Sequence, residues 1–407
     1  MINRATHVLT FLALLVFGLG IFTSITLSAA GHIFLTLAAF LSIYQWRQHS
    51  PKEKFPIAVS GSMIALAIFI LIIIASVLVN MDTISTPWKN ISKAKYFLIA
   101  LLGIIPLSRF RPSDKEIKVL LLVFISATTV ASLAGIIAYY TGMNPLKFKP
   151  GCHPHRACGM YGMYMTYGYG ISLFQILLTG LLLYRKEIQR YLPTSLLIGA
   201  WLVNGLGLFL SMTRGGWLGF LIALPLFFFK KNKKLMLVMG LSFLALFSAS
   251  YLVVPQVKSF FDFRAGSDDQ RISFYKAAIA AFNEKPVLGY GHRNFEPNSA
   301  AIKKRHGIDH DFYSGHAHNN YLEALASTGL LGALAFLAFV VLWLKEAYQR
   351  DDLLARLTFP FVASFAVTGL FQYTFGDGEN LFLIMGIFMV FFSKGAKGTP
   401  SISGCPI

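Results

Sequence analysis

The feature that most limits what this chain can fold into is its succession of long apolar runs. About twelve such stretches fall at 8–27, 30–46, 57–79, 93–108, 117–140, 159–184, 194–211, 214–229, 235–254, 319–344, 355–373 and 379–393. Most have the length, about 17–25 residues, that carries a helix across a hydrocarbon layer. Only helices and closed barrels satisfy their own backbone there, and these runs are continuous rather than alternating, which selects helices. Composition agrees: 13% of residues are charged, where a soluble domain carries about a quarter. The expected fold is an all-α polytopic membrane protein with about 12 transmembrane helices. The stretch 194–229 reads as two short spans or as one broken span. The first run, after Arg4, is too long for the apolar part of a secretory signal and is followed by more spans, so it reads as an uncleaved first helix.

The formal charge is +18, from 36 Lys+Arg against 18 Asp+Glu. In a polytopic chain such an excess is first a topology signal. The termini and the loops 47–56, 109–118, 185–190, 230–234 and 345–356 hold 20 Lys and Arg, against 7 in 80–95, 141–158 and the turn at Arg214. This places both termini in the cytoplasm. It divides the chain into nine spans over 1–254, an outer loop over 255–318, and three spans with a cytoplasmic tail over 319–407. The outer loop carries nine basic residues, but long loops are exempt from the rule, so its charge has another cause. Nucleic-acid binding is disfavoured, because no basic soluble domain exists to host it. Three cysteines are too few for a disulfide framework.

Within the outer loop, Ser267 and Gln270 fit a capping box. Arg271, Tyr275, Ala278 and Phe282 recur at helical spacing until Pro286, which predicts an amphipathic helix over 268–284 lying against the membrane surface. The pair Asp268–Asp269 reads as its start rather than as an acid/base pair. A second polar helix is expected over 295–305.

Several groups carry candidate chemistry. His316, His318 and Asn319 stand where an apolar run begins. A histidine at a helix N-terminus is disfavoured as imidazolium, and a neutral imidazole is what a general base requires. The bland alternative is a capping or interface histidine. Metal binding by this pair lacks an acidic or cysteine partner at ligand spacing. In Ser211-Met212-Thr213-Arg214-Gly215-Gly216, an arginine is pressed between two spans, where ionisable groups tend to be functional and where guanidinium suits bidentate phosphate contact. Its alternative is a snorkelling arginine. Arg271, flanked by Arg264 and Arg293, faces a phosphate head group or solvent. Cys152-His153-Pro154-His155-Arg156-Ala157-Cys158 reads as a disulfide, a metal site or two free thiols. Arg156 begins a glycine-rich span and faces outward as a third phosphate contact. Glu323 and Glu379, at the ends of spans, could each orient a base or pair an arginine.

Three of these motifs resemble the O-antigen ligase/O-antigen polymerase family of bacterial inner-membrane glycosyltransferases. They are Ser-Met-Thr-Arg214-Gly-Gly between consecutive spans; Gln270-Arg271-Ile-Ser-Phe-Tyr followed by Pro286-Val-Leu-Gly289-Tyr-Gly291; and His316-Ala-His318-Asn319-Asn-Tyr-Leu-Glu323 followed by Gly329-Leu-Leu-Gly332. The resemblance implies a GT-C-like membrane fold with a helical periplasmic loop between spans 9 and 10, working without metal ions, nucleotide or other cofactor. It implies His318 as catalytic base, with Arg214 and Arg271 holding an undecaprenyl-diphosphate-linked glycan. Arg156, His316, Asn319 and Arg293 would be substrate-binding. The acceptor would be lipid A–core in the ligases and a second lipid-linked glycan in the polymerases. From outside the family, a transporter of anionic lipid would show inverted repeats and broken helices in two halves; here the polar residues gather in one loop.

Overall fold

The computed structural model describes residues 2–49, 57–253, 265–308 and 313–393. The start of the outer loop, Arg264 included, and the tail from 394 lie outside them. The described chain is 77% helical, with a single pair of two-residue strands. It is an all-α polytopic membrane protein: eight helices are long and apolar enough to cross a membrane, and four more are apolar but shorter.

In chain order the helices are α1 Ile2–Gly20, α2 Ile25–His49, α3 Gly61–Val79, α4 Pro87–Ile91, α5 Lys95–Arg109, α6 Asp114–Thr141, α7 Tyr164–Leu183, α8 Arg185–Ile188, α9 Thr194–Leu210, α10 Arg214–Ala223, α11 Lys233–Val253, α12 Ala265–Glu284, α13 Phe295–His306, α14 Asn320–Gln349, α15 Leu353–Thr368 and α16 Gly378–Ser393. Local chemistry sets the ends. Ser60 accepts from the Met63 amide at the start of α3, and Ser113 forms a reciprocal capping box with Glu116 at the start of α6, each satisfying donors that a helix leaves open. Pro225 turns the end of α10 into a 3-10 stretch, Leu224–Phe228.

The bundle has two chemically different ends. At one, charged side chains are spent on ion pairs and carbonyls: Lys230 with Asp351, Arg356 with Glu187, Arg350 with Asp352 and the Phe391 carbonyl, Arg109 with the Ser42 carbonyl. The other end gathers the segments 80–94, 142–163, 211–213, 265–308, 313–319 and 369–377. Helix α7 runs through the middle, lined by buried residues from Thr166 to Gly180. Its Gly168 lets α10 come close, since a side chain there would meet Thr213 at 2.2–2.5 Å, and one at Gly216 would meet the Gly168 carbonyl at 2.8 Å. This crossing fixes where Arg214 emerges. The turn Ser211–Thr213 makes α9 and α10 two separate helices, which answers the ambiguity over 194–229.

Three sequence expectations are corrected. Helix α12 begins at Ala265, so Ser267 lies inside it rather than capping it. One face of α12 is packed inside the protein: Phe274, Ala277, Ala278 and Ala281 are buried, and the three alanines share a small core with Tyr290, Phe295, Ile302 and Ala326. The span expected from residue 159 starts at Tyr164, because Gly159 has φ +54° and packs on Tyr167. The span expected as a continuous helix over 319–344 is broken at Gly329 (φ +66°, ψ −167°). The segment Pro286–Gly289 plugs this break. The Leu330 amide donates to the Pro286 carbonyl (2.8 Å) and the Tyr290 amide to the Ala326 carbonyl (2.9 Å). Two glycine-bearing motifs, some forty residues apart, are thus one interlocked joint.

Candidate active site

The site is built around the short segment that enters α14. Asn319 caps the helix: its Oδ1 accepts from the Tyr321 and Leu322 amides, and its Nδ2 donates to the Leu370 carbonyl. Asn320 is buried and fastens the same neighbour, its amide donating to the Gly369 carbonyl, its Nδ2 to Thr374 Oγ1, and its Oδ1 accepting from the Phe375 amide. The two asparagines therefore clamp the turn 369–375 between α15 and α16. Just before them, Glu323 reaches back and accepts from the Ala317 amide (2.8 Å) and from Ser327. This fixes the loop between the two histidines, an orienting part of the kind the sequence left open for this glutamate.

The clamped turn delivers Gln372, which is buried. Its Oε1 lies 2.8 Å from His318 Nδ1 and its Nε2 lies 3.2 Å from His316 Nε2. The two imidazole rings are 4.1 Å apart. With the amide so placed, its Nε2–H donates to His316, and its carbonyl accepts from His318 Nδ1–H. His318 then keeps an unprotonated Nε2, the lone pair a general base uses. Replacing Gln372 with Leu removes both hydrogen bonds, of which the one that orients His318 is worth about 1–1.5 kcal/mol. The expected result is a fall in kcat of about tenfold with acceptor and donor KM little changed, and partial rescue by Asn is not expected because its amide is too short to bridge both rings.

Both histidines are held neutral. Burial pushes His318 down to about 4, with His316 and Arg271 adding to it while Gln372 and Glu296 oppose. His316 is also pushed down to about 4, by burial first and then by Arg293. Desolvation is the leading cause, and His318 also stands directly before the N-cap of α14, as the sequence suggested. A histidine whose folded value lies below its unfolded value of about 6.5 favours the folded state fully above pH ~6.5. That contribution is lost as pH falls from ~6.5 towards 4. Thermal denaturation in detergent across pH 7 to 4 should show this decline in the wild type and a shallower one in His316→Gln.

Three arginines come together from different elements. Arg271, on α12, lies beside the Tyr169 phenol, which Arg214 also approaches, and Arg271 faces His318. Arg156 stacks on the Tyr164 ring at 3.9 Å and faces Arg214. Clustered like charges are costly, and an anion set among them would offset that cost. Arg293 sits on the His316 side and donates Nη1 to the Gly376 carbonyl at 3.4 Å. The loop carrying Arg156 is bracketed by a disulfide between Cys152 and Cys158, which resolves the three readings of that segment. Glu379 stands instead near Asp377 at the start of α16. Among the described residues, no group of three or more His, Cys, Asp or Glu is placed to hold a metal ion.

Backbone strain marks the same region. Of the four described non-glycine residues with positive φ, three are His318 (+47°), Arg293 (+60°) and Met212 (+53°), the last two positions before Arg214. Such conformations cluster at functional sites because the surroundings must enforce them. Sequence reasoning missed Gln372, Tyr169 and Tyr164. A lone glutamine in a short turn between spans carries no spacing signal, and the tyrosines read as ordinary residues of a span.

The fold and this cluster define a polytopic membrane protein with a histidine–arginine site at one end of its bundle. Residues 197–337 match the family model described as O-antigen ligase. The match covers about a third of the chain; that segment is similar to the O-antigen ligase family, which supports a glycosyltransferase-like membrane function. The matched segment contains Arg214, Arg271, Arg293, His316, His318 and Asn319; Arg156 and Gln372 lie outside it. No curated protein matches the chain.

Proposed function

We propose that the chain transfers a glycan from undecaprenyl diphosphate to a lipid A–core acceptor. In this reading the loop-bearing end of the bundle faces the periplasm, the termini are cytoplasmic and the membrane is the bacterial inner membrane. The observation that carries the proposal is the meeting of a neutral, hydrogen-bonded histidine with arginines from three separate elements. The acceptor hydroxyl oxygen bonds to the anomeric carbon as the bond from that carbon to the diphosphate oxygen breaks. The hydroxyl proton goes to His318 Nε2, and the electron pair leaves with undecaprenyl diphosphate. One displacement inverts the anomeric centre.

Charge develops on the departing diphosphate, where Arg214 and Arg271, with Arg156 behind them, supply fixed positive groups. With these guanidinium groups in place the chemistry requires no divalent cation. His316 holds Gln372 and the acceptor side. Asn319 acts through its cap, because both ends of its amide are already engaged.

The test is transfer in proteoliposomes from an undecaprenyl-diphosphate glycan to purified lipid A–core, with chelator present. A product formed only on lipid-linked repeat units, or only with added metal, would overturn the reading. Arg271→Lys is expected to lower kcat/KM about 10–100-fold, since a point charge loses the paired contact worth about 1.5–3 kcal/mol; the readout is initial rate against donor concentration.

A further inference from the structure

A second group of cations stands on the His316 side of the histidine pair. The turn 289–293 docks on the end of α3: the His292 amide donates to Ser76 Oγ (3.2 Å), and Asn80 Nδ2 donates to the Gly289 carbonyl (3.0 Å). The stretch from α4 through Ser92–Ala94 packs on the same end of α3. This brings Lys93, which is half-buried, within electrostatic range of Arg293, with Lys89 and Lys95 beside it. Arg293 in turn acts on His316. No carboxylate among the described residues forms an ion pair with Arg293, Lys93 or Lys89.

Nearby acids do little to neutralise the group. Asp377, next to the Gly376 carbonyl that Arg293 touches, has its carboxyl raised by burial and by Glu379; Glu296 is exposed on α13; and Glu323, which Arg293 also reaches, is engaged by the Ala317 amide and Ser327. His292 lies behind the cations and is held neutral by its burial, then by Arg293 and Lys93. Arg293 also holds a left-handed backbone, φ +60°, which a surface arginine has no reason to keep. The arginine cluster around Tyr169 sits on the His318 side, so the histidine pair stands between two cationic groups. One anion, the donor diphosphate, accounts for only one of them.

We propose that Arg293 and Lys93, with Lys89 at the rim, form a second anion subsite that receives a phosphate group carried by the acceptor glycolipid. The inference rests on the transfer reaction above and adds to it how the acceptor is selected. Arg293 offers a planar donor fork and Lys93 a point charge, a pairing suited to a doubly charged phosphate. Seating that phosphate orients the acceptor so that its hydroxyl lies on the histidine pair.

The test uses the full chain in nanodiscs of zwitterionic lipid, with an acceptor glycolipid before and after enzymatic dephosphorylation. Dephosphorylation is expected to raise the wild-type acceptor KM about tenfold or more, the loss of a charge-assisted contact. Lys93→Gln, alone and with Arg293→Gln, should raise the KM for the phosphorylated acceptor, erase the preference, and leave the donor KM unchanged. Equal wild-type KM for the two acceptors overturns the subsite, as does a rise in donor KM instead. Doping the discs with phosphatidylglycerol separates the other source of phosphate: if that lipid alone erases the wild-type preference, the cations serve head groups and the proposal falls. Binding of the two acceptors, followed by tryptophan fluorescence, separates the two readings. Preferential binding lost in Lys93→Gln, without any transfer, sinks the reaction and keeps the subsite; transfer without preferential binding does the reverse.

Discussion

His318→Ala protein is expected to insert and fold yet to transfer no measurable glycan. The side chain supplies the only unprotonated ring nitrogen that the Gln372 bridge leaves open, and a positioned general base contributes about 10²–10⁴-fold. Loss of the imidazole also removes one ring from the 4.1 Å pair, so the remaining His316 and Gln372 relax. The backbone complicates a simple alanine test, because residue 318 is left-handed and alanine tolerates that region poorly. His318→Asn is the companion variant: asparagine accepts left-handed geometry and can still meet Gln372, but it cannot take a proton. Transfer assayed beside size-exclusion profile and melting temperature for both variants decides the matter. Wild-type rates in either would remove His318 from the chemistry. Inactive alanine with active asparagine would assign the residue to the backbone rather than to proton transfer.

Gly329→Ala is expected to be the most destabilising single substitution away from the reacting groups. A Cβ there would stand 2.3 Å from the Val287 carbonyl carbon and oxygen and 2.6 Å from the Leu288 nitrogen. These are backbone atoms, so no rotamer change relieves the contact. The conformation itself, φ +66° with ψ −167°, is open essentially to glycine alone and costs about 1–3 kcal/mol for other residues. With the clash added, the loss should exceed about 3 kcal/mol, which is large against the marginal stability of a folded protein. Unfolding in detergent is often irreversible, so the measurement is thermal inactivation half-life with limited proteolysis at the 286–290 joint. Gly199→Ala on α9 gives a useful contrast, because nothing lies within 4 Å of a Cβ placed there. Equal half-lives for wild type and Gly329→Ala would show that the joint does not hold the loop in place.

The sequence made the spans readable because a bilayer imposes one requirement on every crossing segment: a long apolar run that closes its own hydrogen bonds. The same simplicity made Arg214, His316 and His318 stand out as polar residues at the borders of those runs, and Arg271 as a cation within the outer loop. What it hid follows from the same physics. The break at Gly329 is invisible to hydropathy, because Gly-Leu-Leu-Gly is as apolar as the helix on either side; only the docking of 286–289 shows why a helix stops there. Gln372 lies 54 residues beyond His318 in a turn of ordinary composition, and it enters the site only through Asn319 and Asn320. The resemblance implied Asn319 as a substrate contact; what no motif announced is that Asn319 and Asn320 together fasten another loop. The burial that keeps His318 neutral comes from α12 and α13 folding over it, a tertiary effect no local pattern encodes.

The clamp between the two asparagines and the turn at 369–375 has a consequence for how the protein matures. A ribosome makes Arg156, Arg214, Arg271 and both histidines well before it makes Gln372. A nascent chain holding every charged part of the site therefore still has its histidines unbridged, and remains without a fixed base until the helix pair α15–α16 has been threaded into the bilayer and brought its turn against α14. Under the proposed reaction, transfer waits for that insertion, so a half-inserted chain carries the cations of the site without a fixed base beside them.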